Sequence, residues 1–205
     1  KGEQTPYTGV IKNFKIPGED GVFEGKISFK DGVIDGLVEL YYSNGKLAEM
    51  ATFKDGEKNG IQKTYYENGQ IKMEVLYKNG KKDGIGKLYS TKGILVGEFP
   101  FKNDMLDGTV IEYLEDGKKT SVSNYKNGKL EGEKLSYYKN GSLYIEANYS
   151  NDELDGDIKV YKKNGDLDYN APYKNGKPLT AKRLKASDDM IDEISQDLKE
   201  ILGDF

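Results

Sequence analysis

Along this chain short runs of aromatic and aliphatic residues alternate with polar ones, and each run ends in glycine or Asn-Gly. Leu37-Val38-Glu39-Leu40-Tyr41-Tyr42 is one such run, and Lys46 through Phe53 is the next. Period-two runs bounded by turn residues predict β-strands rather than helices. The runs also recur at a fixed interval. From Phe29, steps of 24 residues land on Phe53, Tyr77, Phe101, Tyr125, Tyr149 and Tyr173, all aromatic. In the same frame Gly36, Gly60, Gly84, Gly108, Gly132 and Gly156 form one column, and Gly45, Gly69, Gly93, Gly117, Gly141 and Gly165 another. A further column is pure tyrosine: Tyr41, Tyr65, Tyr89, Tyr113, Tyr137 and Tyr161. A fixed period of this kind is the signature of a repeat array, in which each unit rests mainly on its neighbours.

Each unit holds two strands. Between them stands Asn-Gly at Asn44-Gly45, Asn68-Gly69, Asn140-Gly141 and Asn164-Gly165, which predicts a type I′ hairpin turn. Units are joined by a longer polar turn with two glycines, as in Lys126 to Gly132. The predicted fold is all-β: an elongated, single-layer antiparallel β-meander of about six 24-residue hairpin repeats. About 14 strands at roughly 4.7 Å spacing give a ribbon on the order of 65 Å long. Parity within each strand places Leu47, Ala51 and Phe53, or Ile71, Val75 and Tyr77, on one face together with the tyrosine column. Gln62, Thr64 and Tyr66, or Lys134, Ser136 and Tyr138, fall on the other.

The ends depart from the repeat. Residues 1–28 read as a degenerate N-terminal capping repeat, 29–178 as the array and 179–205 as a C-terminal helical cap. Ser187 and Asp188-Asp189 suit a helix start, and Gly203 suits its stop. Between them Met190, Ile191, Ile194, Leu198, Ile201 and Leu202 recur at the spacing of an amphipathic α-helix. Folding back on the last hairpin would shield an open sheet edge. The competing expectation is an interface through Met190, Ile194, Leu198 and Ile201 to a partner or a second copy.

The chain has no cysteine and no histidine. That excludes thiol nucleophiles, disulfides, Ser-His catalysis and the usual zinc sites. A net charge of -4 with mixed signs gives no nucleic-acid footprint. No apolar run approaches the roughly 18 residues of a membrane helix. Beginning at Lys1 without Met, the chain is expected to have lost a leader, which favours export to a periplasm or cell surface over the cytoplasm.

Lys30, Lys54, Lys78, Lys102 and Lys126 form a basic column, and Asp35, Asp83, Asp107, Glu131 and Asp155 an acidic one. Both are expected to be solvated turn charges. Asn151 to Gly156 resembles a calcium loop, but Lys162 stands where the bidentate Glu belongs. No carboxylate pair is singled out for hydrolysis, and neither a cofactor nor a metal is expected. Asn148-Tyr149-Ser150 is a formal glycosylation sequon inside a predicted strand. The columnar aromatics read as core. Tyr42, Tyr66 and Tyr138, at opposite parity, are the candidate partner-binding residues.

Units of the form Tyr-Lys-Asn-Gly-Lys-Leu-Glu-Gly…Tyr-Tyr-x-Asn-Gly-x-Leu over residues 29–176 resemble the variant MORN repeats of bacterial proteins, often labelled antitoxin-like. Tyr stands where the family pattern often has Trp. Asp104 and Asp152 replace a turn glycine, and Ser90 and Leu114 replace the second tyrosine, so irregularity is expected in the third and fourth units. The resemblance implies a hairpin ribbon that associates with proteins or membranes and has no activity of its own. The leading expectation is therefore a non-enzymatic scaffold presenting a rigid face to a protein partner in a bacterial envelope or at the cell surface. The alternative is an antitoxin or immunity-type protein that neutralises a toxin in the cytoplasm.

Overall fold

A computed structural model describes residues 6–18 and 21–179. The capping helix and its interface residues Met190, Ile194, Leu198 and Ile201 lie outside the described residues. Within them each strand pairs antiparallel with its sequence neighbours, from Gly9–Gly18 on Gly21–Lys30 to Leu167–Lys174 on Lys177–Pro178, as one sheet of 18 strands. Three of the longer strands are split after two residues, at Asn59, Asp83 and Asp107. There the backbone N–H donates across to the Thr52, Leu76 and Pro100 carbonyls at 2.8 to 2.9 Å, so the partner strand stays satisfied through the bulge.

The turns exchange the roles that the sequence suggested. Asp31, Asp55, Asn79, Asn103, Asn127, Asn151 and Asn175 all have φ between 49° and 52°, and the residue after each also has positive φ. The tight I′-like turn is thus the one between units. At Asn44-Gly45 only the glycine is left-handed (φ 79°). Gly45 N–H donates to the Tyr42 carbonyl at 2.9 Å, and Tyr42 N–H donates to the Lys46 carbonyl at 2.8 Å. That pattern is a type I turn closed by a glycine bulge. The Asn44 carboxamide oxygen accepts from Lys46 N–H at 2.9 Å, which explains asparagine there without a positive φ.

Asp104 and Asp152 do not make their units irregular. They take the glycine's left-handed backbone at φ 71° and 72°. Each donates its N–H to the preceding unit, to the Lys82 and Leu130 carbonyls at 3.0 Å. Each carboxylate then accepts the N–H of that same residue, at 2.8 and 2.7 Å. A charge-assisted bond thereby offsets the conformational strain.

Register also corrects the faces. Antiparallel partners point the same way. Gln62 stands opposite Val75, Thr64 opposite Met73 and Gly60 opposite Tyr77. The Gln62 face is therefore the Val75–Tyr77 face. The tyrosine column lies on the other side: Tyr65 pairs with Ile71 and Tyr113 with Lys119 after a register shift in each hairpin. Parity counted within one strand cannot detect that shift.

The core is one row across the first face. Ala51, Gln62, Val75, Phe99, Val110, Ser123, Lys134, Ala147, Ile158 and Ala171 are all buried. A single layer can bury them only beneath their own neighbours. In the middle of the row Phe99 and Phe101 lie over glycines of the sheet. A methyl group at Gly97 would meet the Phe99 ring at 2.6 Å, and one at Gly86 the Phe101 ring at 2.9 Å. These two glycines serve space, since neither has a left-handed φ. Phe99 joins Val75, Phe101, Leu106, Val110, Tyr125 and Leu130 in one cluster, and Ile145 through Tyr173 form a second.

Candidate docking face

The second face carries the column tyrosines, an ion-pair ladder and a row of small exposed side chains. Their spacing comes from the hairpin register. Lys63 lies across from Glu74, their charged atoms 2.5 Å apart, and Lys159 meets Glu146 at the same distance. Column tyrosines donate back one unit: Tyr89 to Glu74 at 3.2 Å, Tyr113 to Glu98 at 3.0 Å and Tyr161 to Glu146 at 3.1 Å. The Lys63 bond holds the Glu74 carboxyl below its ordinary range, and partial burial pushes the Tyr89 phenol up. These groups already satisfy one another, which makes them a ladder between units rather than a reactive set.

Beside the ladder runs a row that changes character halfway along the sheet. Leu37 stands opposite Thr52, Ile61 opposite Leu76 and Ile85 opposite Pro100. Farther on, the same places hold Thr109 and Asn124, Glu133 and Asn148, then Asp157 and Pro172. In the polar half the side chains bond each other: Thr109 donates to Asn124 at 2.7 Å, and Asn124 donates to the Glu133 carbonyl at 2.9 Å. In the apolar half nothing among the described residues covers the row; Ile61 is 50 % exposed, Leu76 43 % and Ile85 59 %. Met105, also exposed, extends the patch opposite Lys102, and Lys78 pairs with Lys81 at its margin. An exposed apolar stripe rimmed by lysines suits a protein contact.

The sequence-predicted tyrosines sit elsewhere. Tyr42, Tyr66 and Tyr138 lie at hairpin bends along one edge, half-buried, Tyr42 and Tyr66 in adjacent units and Tyr138 farther along. Each hydroxyl donates to a carbonyl of the next unit: Tyr65 at 2.5 Å, Tyr89 at 2.8 Å and Tyr161 at 2.8 Å. The Tyr138 ring also packs against Tyr144 at 4.6 Å. They tie successive hairpins together and do not form one patch. Tyr66→Phe is expected to lower stability by about 0.5–1.5 kcal/mol, as one hydrogen bond to a partly buried carbonyl is lost. Thermal melting beside wild type checks it, and an unchanged midpoint would deny the bond a stabilising role.

The charge columns have duties beyond solvation. Asp35, Asp107 and Glu131 accept the backbone N–H of Asp55, Asn127 and Asn151 at 3.2, 3.1 and 2.9 Å, so each acid fixes the next unit's tight turn. Asp152, inside the calcium-like stretch, spends its carboxylate on Leu130 N–H. Among the described residues no cluster of three or more carboxylates is placed to hold a metal ion. On the core face Lys58 lies 5.1 Å from the Tyr77 ring centroid and Lys82 4.9 Å from that of Phe101. Those cation–π contacts were missed because the strand break hides which residue opposes each aromatic. The apolar row was missed too, although its signal is readable: one column is Leu37, Ile61 and Ile85, then Thr109, Glu133 and Asp157.

No curated protein matches the chain. The family model described as MORN repeat variant matches it four times, at residues 34–55, 58–79, 106–127 and 130–151. Each match covers one hairpin with its glycine-bulge turn and ends on the first residue of the next tight turn, in the 24-residue frame of the sheet. The stretch between the second and third matches contains Gly86, Gly97 and Phe99, together with the most exposed isoleucine of the row. At these four segments, between residues 34 and 151, the chain is similar to the MORN repeat variant.

Proposed function

We propose that this protein is a non-enzymatic protein-interaction module, and that its partner docks on the apolar half of the second face. Repeats of this kind are commonly protein- or membrane-binding modules. The observation that carries the reading is the row Leu37, Ile61, Leu76 and Ile85, exposed where the same columns turn polar in the later units. The repeat itself does not require apolar residues there, since Thr109 and Glu133 fill the same slots in the same register. The fold is therefore met without them, and their exposed apolar surface is available for a contact.

Burying one such side chain at an interface is worth about 1.5–3 kcal/mol. Replacing two of them by lysine therefore costs more than tenfold in affinity. The test immobilises the full chain and captures partners from its source cells. Ile61→Lys with Ile85→Lys is expected to lose a partner that Thr109→Lys with Asn124→Lys retains. Equal capture by both variants would remove the row from the interface. Both pairs change exposed positions or their hydrogen-bonded surface neighbours, so circular dichroism of each confirms that the sheet is intact.

A further inference from the structure

The two flanks of the apolar row differ in charge. Its outer flank is the line of tight turns, where the second face carries Lys30 opposite Val33, Lys54 opposite Glu57, Lys78 opposite Lys81 and Lys102 opposite Met105. That is five lysines to one glutamate. Lys54, Lys78, Lys81 and Lys102 are exposed, and none forms an ion pair with another described residue. Lys78 and Lys81 face each other directly, a like-charge pair that lowers the hairpin's own stability. The inner flank is the ladder, where Lys63, Glu74, Lys87 and Glu98 alternate in sign across successive strands. A ligand matched to this surface is apolar along its middle, acidic on one side and uncharged on the other.

The backbone narrows the ligand further. The strands of Ile61, Leu76 and Ile85 are each paired on both sides, so a segment lying on their face finds no free N–H or C=O. An extended peptide pairs at a sheet edge, whereas an α-helix satisfies its own backbone and presents only side chains. Its pitch of about 5.4 Å lies close to the strand spacing of about 4.8 Å, so successive turns meet Ile61, Leu76 and Ile85. From Leu37 to Pro100 the row crosses five strand intervals, about 24 Å, the length of a helix of about 16 residues. We propose that the apolar row receives an amphipathic α-helix of a partner protein, with carboxylates on the flank that faces Lys54, Lys78, Lys81 and Lys102. The inference rests on the partner-face reading and adds the partner's shape and charge. A lipid surface is disfavoured, because the row is narrow and an anionic headgroup layer would meet the ladder carboxylates Glu74 and Glu98. The like-charge pair recurs at Lys126 with Lys129, but there Thr109 and Asn124 bond each other and no apolar row lies beside it.

The probes are two fluorescent helical peptides of about 16 residues with the same leucine stripe, one flanked by glutamates and one by lysines. Each is titrated by anisotropy against the full chain. The glutamate peptide is expected to bind at least about tenfold tighter, and 0.5 M salt is expected to shrink that ratio. Lys78→Glu with Lys81→Glu should reverse the preference, whereas Lys126→Glu with Lys129→Glu should leave it unchanged. Ile61→Ser with Ile85→Ser should weaken the glutamate peptide by about tenfold or more. All six positions are exposed, and circular dichroism of each variant confirms the sheet. Equal binding of the two peptides, a preference that survives the Lys78 and Lys81 changes, or binding indifferent to Ile61 and Ile85 would each overturn the proposal. Binding to phosphatidylserine–phosphatidylcholine vesicles that is lost with Ile61 and Ile85, and that neither peptide competes, would also overturn it and assign the row to a membrane. The partner-face reading is judged separately: capture that depends on Ile61 and Ile85, without any flank preference among the peptides, keeps the face and removes the acidic helix.

Discussion

Phe99→Ala is expected to lower the stability of the ribbon by about 3–5 kcal/mol, the range for deleting a buried aromatic ring. Phe99 is 2 % exposed and stands in the middle of the core row. Its ring lies over Gly97, which supplies no side chain of its own to fill a void. It also packs in the cluster that spans Val75 to Leu130, so the ring joins the core of the earlier hairpins to that of the later ones. Stability of an array is a sum of units and the contacts between them. Losing the central contact is therefore expected to split one unfolding transition into two, with a lower first midpoint in urea. The comparison is Ile85→Ala, exposed on the opposite face, for which a change within about 0.5 kcal/mol is expected. Similar losses in the two variants would reverse the assignment of the faces.

The second large effect is with pH. Burial pushes the phenols of Tyr125 and Tyr149 up to about 12, helped at Tyr125 by nearby Glu112 and Asp152. In an unfolded chain a tyrosine ionises near pH 10. The folded pKa is the higher one, so the stabilising contribution is complete below pH 10 and is lost as the pH rises from 10 to 12. At about 1.4 kcal/mol per pH unit, each residue removes up to roughly 2.7 kcal/mol by pH 12. Lys82 works in the opposite sense, because burial lowers its ammonium and unfolding would recharge it. Denaturant melts at pH 8, 10 and 11.5 measure the slope. It should flatten in Tyr125→Phe with Tyr149→Phe, and an unchanged slope in that variant would assign the alkaline loss to other groups.

The architecture was legible because it depends on columns: glycine and asparagine at turns, and aromatics at a constant step. What could not be read was relative register. A bulge in the second strand of each hairpin, at Lys72 in this unit, shifts one strand against the next, so Tyr65 lands opposite Ile71 and leaves the Val75 face. Turn type was misread for a related reason. Asn-Gly marks a bend, but the glycine bulge uses only the second residue in a left-handed conformation, while the Asp-Gly and Asn-Gly turns between units use both. Tyr42, Tyr66 and Tyr138 stood out as extra aromatics, and nothing in their local pattern reveals a bond to a carbonyl one unit away. The exposed row required the opposite habit of reading: asking where a column stops repeating, at Ile85 to Thr109, rather than where it persists.

The most direct test of the docking face is lysine-directed cross-linking of the full chain to its captured partner, read by mass spectrometry. Lysines are spread over both halves of the ribbon, so the reagent samples each. The account predicts cross-links concentrated at Lys54, Lys78, Lys81 and Lys102, around the apolar row. Cross-links concentrated instead at Lys126, Lys129, Lys163 and Lys177 would contradict it and place the partner on the polar half.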